Sequence, residues 1–95
     1  MPRYQVKENC SYLGETWGGY FTFVTTDYQW AKKQMEFRFM EYVRRYKDNN
    51  PKISMGKTMC KLDMGSDGFM EIIIEDLEQT GGGSDGTTEN ICSNK

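Results

Sequence analysis

The longest periodic segment of the chain, residues 27–47, predicts a single helix. Apolar residues recur there at steps of three and four, the spacing that brings side chains to one side of a helix. Thr26, with Gln29 three residues later, fits a capping box at the start, and Asn49-Asn50-Pro51 should end the helix. The core-facing stripe is expected to contain Tyr28, Ala31, Met35, Phe39, Tyr42, Val43 and Tyr46.

A second apolar stripe follows the opposite side of the same helix. Trp30 and Phe37 are two helical turns apart, with Met40 at the edge, where a helix that covers a sheet should meet only water. One interpretation is that residues 9–19, including Trp17, fold over this side and make it part of the core. The other, weighed equally, is a partner-binding surface made of Trp30, Lys33, Phe37, Met40 and Arg44.

Two strands are predicted before the helix. Residues 3–7 alternate polar and apolar side chains, and residues 20–25 are rich in aromatic and β-branched residues. Residues 12–19 contain three glycines, so we expect an irregular loop between these strands.

After the helix, the pattern predicts a hairpin with the loop Ser66-Asp67-Gly68 and Gly68 in the left-handed conformation. Cys60, Leu62 and Met64 would then oppose Ile74, Ile72 and Met70, which makes one face apolar. The alternation changes phase within residues 53–57, and this indicates a bulge at Gly56. The predicted core is Phe21, Phe23, Met35, Phe39, Tyr42, Leu62, Ile72 and Ile74.

Together these elements predict a small α+β domain over residues 1–79, in the order ββαββ. Its sheet would have four mainly antiparallel strands, with the long helix across one face. Residues 80–95 are rich in glycine and lack periodicity, which is typical of a flexible tail. Many small proteins share this element order, including phage-encoded inhibitors of host machinery, so the order alone does not indicate a function.

One helix cannot cover both faces of a sheet, so a second candidate surface lies on the far face. Its residues would be Trp17, Tyr20, Met59, Phe69 and Ile73, interleaved with lysines. This mixture suits self-association, and it also suits stacking of nucleic-acid bases.

Composition argues against catalysis. The 95 residues include no histidine, which removes the commonest general base and transition-metal ligand. The three cysteines form no Cys-x-x-Cys pair, so we expect free thiols, no metal site and no cofactor. The chain shows neither a secretory segment nor an apolar run of membrane-spanning length, which predicts a cytoplasmic protein that does not bind membranes.

Charge is distributed unevenly along the chain, although the net charge is only −2. Residues 28–61 hold nine Lys/Arg and three Asp/Glu, whereas residues 62–95 hold one Lys and eight Asp/Glu.

Taken together, the sequence predicts a non-enzymatic protein-binding module. This module would be either a small regulator or inhibitor of viral type, or a self-associating subunit such as a homodimer. The alternative is single-stranded nucleic-acid binding, which the charge balance disfavours, and a third hypothesis is a small-ligand pocket between the glycine-rich segment and the helix.

Overall fold

A computed structural model describes residues 2–78, which form an antiparallel five-stranded sheet with one long helix across one face. The strand order across the sheet is β2-β1-β5-β4-β3. This confirms the α+β class, but the sheet has five strands instead of four and the chain order is ββαβββ. The elements are β1 (Tyr4–Tyr12), β2 (Glu15–Tyr20), α1 (Tyr28–Tyr46), β3 (Lys52–Met55), β4 (Met59–Asp63) and β5 (Gly68–Asp76).

Helix α1 begins one residue later than the sequence indicates. Asp27 is the N-cap, and its Oδ1 accepts a hydrogen bond from the backbone N–H of Trp30 at 3.1 Å. The capping box predicted at Thr26 is therefore wrong, because the carboxylate of Asp27 takes the capping role. At the other end a short 3-10 turn, Lys47–Asn49, follows α1, and Asn50 adopts the left-handed conformation that ends it.

The core lies between α1 and the three central strands β1, β5 and β4. The apolar face predicted for the last two strands is confirmed, because alternate residues of β4 and β5 point towards the helix. Phe39, Met35, Leu62, Met70 and Ile72 have no exposed surface. The other buried apolar residues are Val6, Cys10, Ala31, Tyr42, Cys60, Met64 and Ile74.

The glycine-rich segment forms regular structure, contrary to the predicted loop. Residues 15–20 are β2, which pairs with β1, whereas most of the strand predicted over residues 20–25 is a loop. Gly18 shows why glycine is compatible with this strand: a Cβ at this position would lie 2.5 Å from the carbonyl oxygen of Glu8. Gly18 therefore allows close pairing of β2 with β1.

Phe23 is not part of the core. Its predicted burial assumed that residues 20–25 are a strand whose odd positions face the helix. Because the strand ends at Tyr20, Phe23 lies in the following loop, and 86% of its surface is exposed. Phe21 of the same loop is half-buried and packs at the margin of the core.

The last hairpin has the predicted apolar face in a different register. Leu62 pairs with Met70 and Cys60 with Ile72, a shift of two residues from the prediction. The shift arises because the turn is Gly65–Asp67, with Gly65 left-handed at φ 65°, so that Met64 donates a backbone hydrogen bond to Gly68. A shift of two keeps every side chain on its face.

No bulge occurs at Gly56. Its N–H donates to the carbonyl of Met59 at 2.8 Å, which closes the turn between β3 and β4. The phase change in the sequence therefore marks the turn that separates an additional strand, β3, from β4. The flexible tail predicted for residues 80–95 lies outside the described residues. Within residues 2–78, no helix has the length and apolar character needed to span a membrane.

Candidate protein-binding surface

The five residues predicted for the partner surface all lie on the side of α1 that faces away from the sheet. The aromatic rings of Trp30 and Phe37 are 37% and 65% exposed, and Met40 is 39% exposed. Lys33 and Arg44 are exposed on the same side of the helix. This side therefore presents large apolar side chains flanked by two cations.

Segment 9–19 does not cover this side of the helix. Its residues form the end of β1, a tight turn and most of β2. Trp17 lies beside the helix at Tyr42, whose hydroxyl accepts a hydrogen bond from the indole Nε1–H at 3.1 Å. Trp30 and Phe37 are therefore exposed even though Trp17 packs against the helix.

The loop after β2 extends the apolar side of the helix. Phe23, Phe21 and Trp30 line a groove of about 410 Å³, together with Tyr20, Thr22 and Gln34. We call Phe23, Trp30, Phe37 and Met40 the outer patch. The sequence pattern does not indicate Phe23 as a surface residue, because the glycine pair Gly18-Gly19 suggests that a strand starts after it.

Hydrogen bonds fix the loop that carries Phe23. The backbone of Thr25 exchanges two hydrogen bonds with Tyr4, of 2.7 and 2.8 Å. Thr22 accepts from the Val6 N–H through its hydroxyl and from the Gln5 amide through its carbonyl, both at 3.0 Å. Phe23 is therefore exposed between two anchored residues, which reduces the entropy that a partner must remove to bind it.

A polar cluster holds the flank of α1 against β1 and β2. Glu8 is 9% exposed and accepts two hydrogen bonds from the Arg38 guanidinium, of 2.9 and 3.0 Å, and one from the Tyr42 hydroxyl at 2.7 Å. Arg38 also lies over the ring of Phe21, 5.3 Å from its centroid. The Glu8–Arg38 pair thus links the sheet, the helix and the loop of the outer patch.

The cluster shifts the pKa values of its members. Burial raises the pKa of Glu8, but the hydrogen bonds from Arg38 and Tyr42 outweigh burial, so its pKa lies below the ordinary value. Burial is also the main reason why the pKa of Tyr42 rises to about 12. Glu8 is therefore a charged acceptor at neutral pH, and Tyr42 is a neutral donor. No periodic pattern in the sequence indicates this pairing, because Glu8 lies between Val6 and Cys10 on the core-facing side of β1.

The second candidate surface is only partly assembled. Tyr20, Ile73 and Met59 lie in one row across the outer face of the sheet, with Lys7 between Tyr20 and Ile73. Phe69 is on the same face, but Trp17 points to the helix side, because its partner Cys10 faces the core.

Acidic neighbours offset the lysines of this sheet face. Lys7 Nζ lies 3.8 Å from a carboxylate oxygen of Glu75. The same carboxylate accepts a hydrogen bond from the Tyr20 hydroxyl. Lys61 lies directly opposite Glu71 in the register. The face is therefore mixed in charge, and it lacks the basic excess typical of nucleic-acid grooves.

The described residues include two thiols and one polar hollow that bear on catalytic and ligand-binding hypotheses. Cys10 and Cys60 are free and buried, and burial raises the pKa of both thiols, which lowers their reactivity. Residues 2–78 contain no group of three or more side chains placed to hold a metal ion. A polar hollow of about 340 Å³ lies between Trp17 and the helix residues Arg38 and Arg45, where the small-ligand hypothesis would locate its pocket.

Comparison with known proteins gives no family for this chain: no family model matches the sequence, and no curated protein or solved structure is significantly similar to it.

Proposed function

We propose that this chain is a non-enzymatic protein-binding module that regulates or inhibits a larger partner through the outer patch. The observation that carries the proposal is the exposure of Phe23, Trp30 and Phe37 together on one side of a domain whose core is well packed. A domain of this size can act by occupying a surface of its partner. Regulation or inhibition is the simplest consequence of such binding.

The composition of the outer patch supports a protein partner. Aromatic residues, methionine and arginine are enriched at the centres of protein interfaces, and aromatic side chains dominate the binding free energy there. Phe, Tyr and Trp each remove roughly 150–250 Å² from water when they are buried. Three such rings on one side of the domain can therefore supply the centre of a standard interface.

The charges around the outer patch indicate the character of the partner. Lys33 and Arg44 flank it, and neither makes an ion pair within residues 2–78. Cations at the rim of an interface accelerate association with an acidic surface and weaken association with a basic one. The partner should therefore present an apolar depression bordered by Asp or Glu.

The alternative of single-stranded nucleic-acid binding uses some of the same groups. It would depend on Lys33, Arg44 and Lys47, and the affinity would fall steeply as salt concentration rises. Binding to an apolar protein surface would depend mainly on Trp30 and Phe37 and would change much less with salt.

The proposal is tested by affinity capture from a lysate of the native host, with quantitative mass spectrometry of the bound proteins. Three forms are compared: wild type, the outer-patch variant Trp30→Ser/Phe37→Glu, and the control Phe69→Ser/Met59→Glu on the outer sheet face, away from the groove beside Trp30. We expect one protein to be captured by wild type and the control and lost with the outer-patch variant, while circular dichroism shows that all three are folded. Equal capture by all three forms would contradict the proposal. Capture of nucleic acid that depends on Lys33 and Arg44 would favour the alternative.

A further inference from the structure

Strand β3 is an edge of the sheet, and its hydrogen bonds to β4 show which of its backbone N–H and C=O groups are free. Gly56 donates its N–H to Met59, so the even-numbered residues of this segment turn their backbone groups towards β4. In an antiparallel ladder, successive residues alternate between the two sides of a strand. The N–H and C=O groups of Ile53 and Met55 therefore point away from β4, and in the described residues β3 has no second neighbour.

The side chains of the same two residues are also uncovered. Ile53 pairs with Leu62 and Met55 with Cys60, and both of these partners face the helix. Ile53 and Met55 thus point to the helix side of the sheet, yet α1 packs over β5, β4 and β1, and they remain 49% and 50% exposed. The free backbone groups and the uncovered apolar side chains belong to the same residues.

We propose that two copies of this chain associate through antiparallel pairing of their β3 edges, with Ser54 opposite Ser54 of the second copy. Ile53 of each copy then pairs with Met55 of the other, and each pair exchanges its free backbone hydrogen bonds. Because opposite residues of an antiparallel pair point to the same face, the four apolar side chains meet between the two helices. Lys52 lies opposite Gly56 of the second copy, so no like charges oppose each other.

The other edge of the sheet does not offer this match. Phe21 donates its N–H to Val6, so the free groups of β2 belong to Thr16, Gly18 and Tyr20. A symmetric pairing centred on Gly18 would have no side chain at its middle. Gly19 has φ 122°, which departs from the extended conformation of a flat edge. β3, in contrast, has no glycine between Lys52 and Met55.

The pairing would create a ten-stranded sheet with both helices on one face, because the two-fold axis of an antiparallel edge contact is perpendicular to the sheet. Both outer patches would then face the same direction. The homodimer does not depend on the proposed function, but it would allow a partner with two sites to be bound by both copies at once.

The first test is the mass of the full chain in solution, measured by light scattering after gel filtration. We expect twice the chain mass of 11.1 kDa for wild type. Ile53→Lys/Met55→Lys should weaken dimerisation at least about tenfold, because lysines on an edge strand oppose edge-to-edge pairing. The matched control Thr16→Lys/Tyr20→Lys, with the same change on the β2 edge, should remain dimeric. A wild-type mass of one chain, or a dimer that survives the β3 lysines, would overturn the proposal.

A cross-link tests the register and does not rely on a disruptive variant. Ser54→Cys would bring two thiols together in a non-hydrogen-bonded pair, where Cα atoms are about 4.5 Å apart, within the range for a disulfide. Lys52→Cys would leave the thiols roughly 14 Å apart, from four residues at about 3.4 Å each. Both variants carry Cys92→Ser, so that the introduced thiol is the only one besides the buried pair. We expect an oxidised dimer for Ser54→Cys only, and no cross-link at Ser54, or equal cross-linking at both positions, would overturn the proposed pairing.

Discussion

Both sides of helix α1 carry large apolar side chains, but only the inner side is covered. On the inner side Ala31, Met35 and Phe39 are completely buried by the sheet. On the outer side Trp30 and Phe37 remain exposed, although their side chains are as large. Position relative to the sheet therefore decides whether an apolar residue contributes to the stability of the domain or is available to a partner. The inner stripe accounts for the fold, and the outer patch is the basis of the proposed function.

The largest expected effect comes from the same substitution on the two sides. Phe39→Ala should lower the free energy of unfolding by about 3–5 kcal/mol, because it removes a completely buried ring and leaves a cavity. Phe37→Ala, two residues away, should change it by less than about 0.5 kcal/mol, since exposed substitutions rarely cost more. Urea unfolding of both variants measures the difference. Equal losses would show that the two sides are not distinct.

The second prediction concerns the polar cluster that joins the helix to β1. Glu8→Gln should cost about 2–3 kcal/mol at neutral pH, because the carboxylate accepts charge-assisted hydrogen bonds from Arg38 and a further bond from Tyr42. The loss is smaller than for Phe39, since the Arg38 side chain is 39% exposed and can be solvated when its partner is neutral. Chemical denaturation at neutral pH checks the value.

The stability difference between wild type and Glu8→Gln should depend on pH. The folded pKa of Glu8 is lowered from 4.5, so its contribution is fully present above about pH 4.5 and is lost as the pH falls through the lowered pKa. The stability gap between wild type and Glu8→Gln should therefore narrow on acidification. A constant gap from pH 7 to about pH 2 would show that the charge of Glu8 does not stabilise the fold.

A smaller loss of stability than at Phe39 or Glu8 is expected at Trp17. Trp17→Phe keeps an aromatic ring beside the helix but removes the indole donor to the Tyr42 hydroxyl, so it should cost about 0.5–1.5 kcal/mol. Thermal unfolding measures this loss. A loss as large as that of Phe39→Ala would mean that Trp17 belongs to the main core.

Periodicity predicted the helix, its inner stripe and the apolar face of the last two strands, because burial against a neighbouring layer imposes these patterns directly. It failed where the structure depends on contacts between distant segments. Gly18 fits against Glu8, which allows β2 to form in a segment whose composition is typical of a loop. The register of β4 and β5 depends on which glycine takes the left-handed turn position, and Gly65 and Gly68 are equally suitable by residue type.

The outer surface was predictable only in part. Trp30, Lys33, Phe37, Met40 and Arg44 followed from helical spacing alone. Phe23 could not be added, because its position depends on where β2 ends. The Glu8–Arg38 pair joins residues 30 positions apart, and local patterns carry no information about such pairing.

The central claim, that the outer patch binds a partner, is tested most directly by titration calorimetry with the purified captured protein. Trp30→Ser/Phe37→Glu should raise the dissociation constant at least about thirtyfold, which corresponds to about 2 kcal/mol or more. The control Phe69→Ser/Met59→Glu on the outer sheet face should bind as wild type does. A folded outer-patch variant that binds the partner with wild-type affinity would contradict the account.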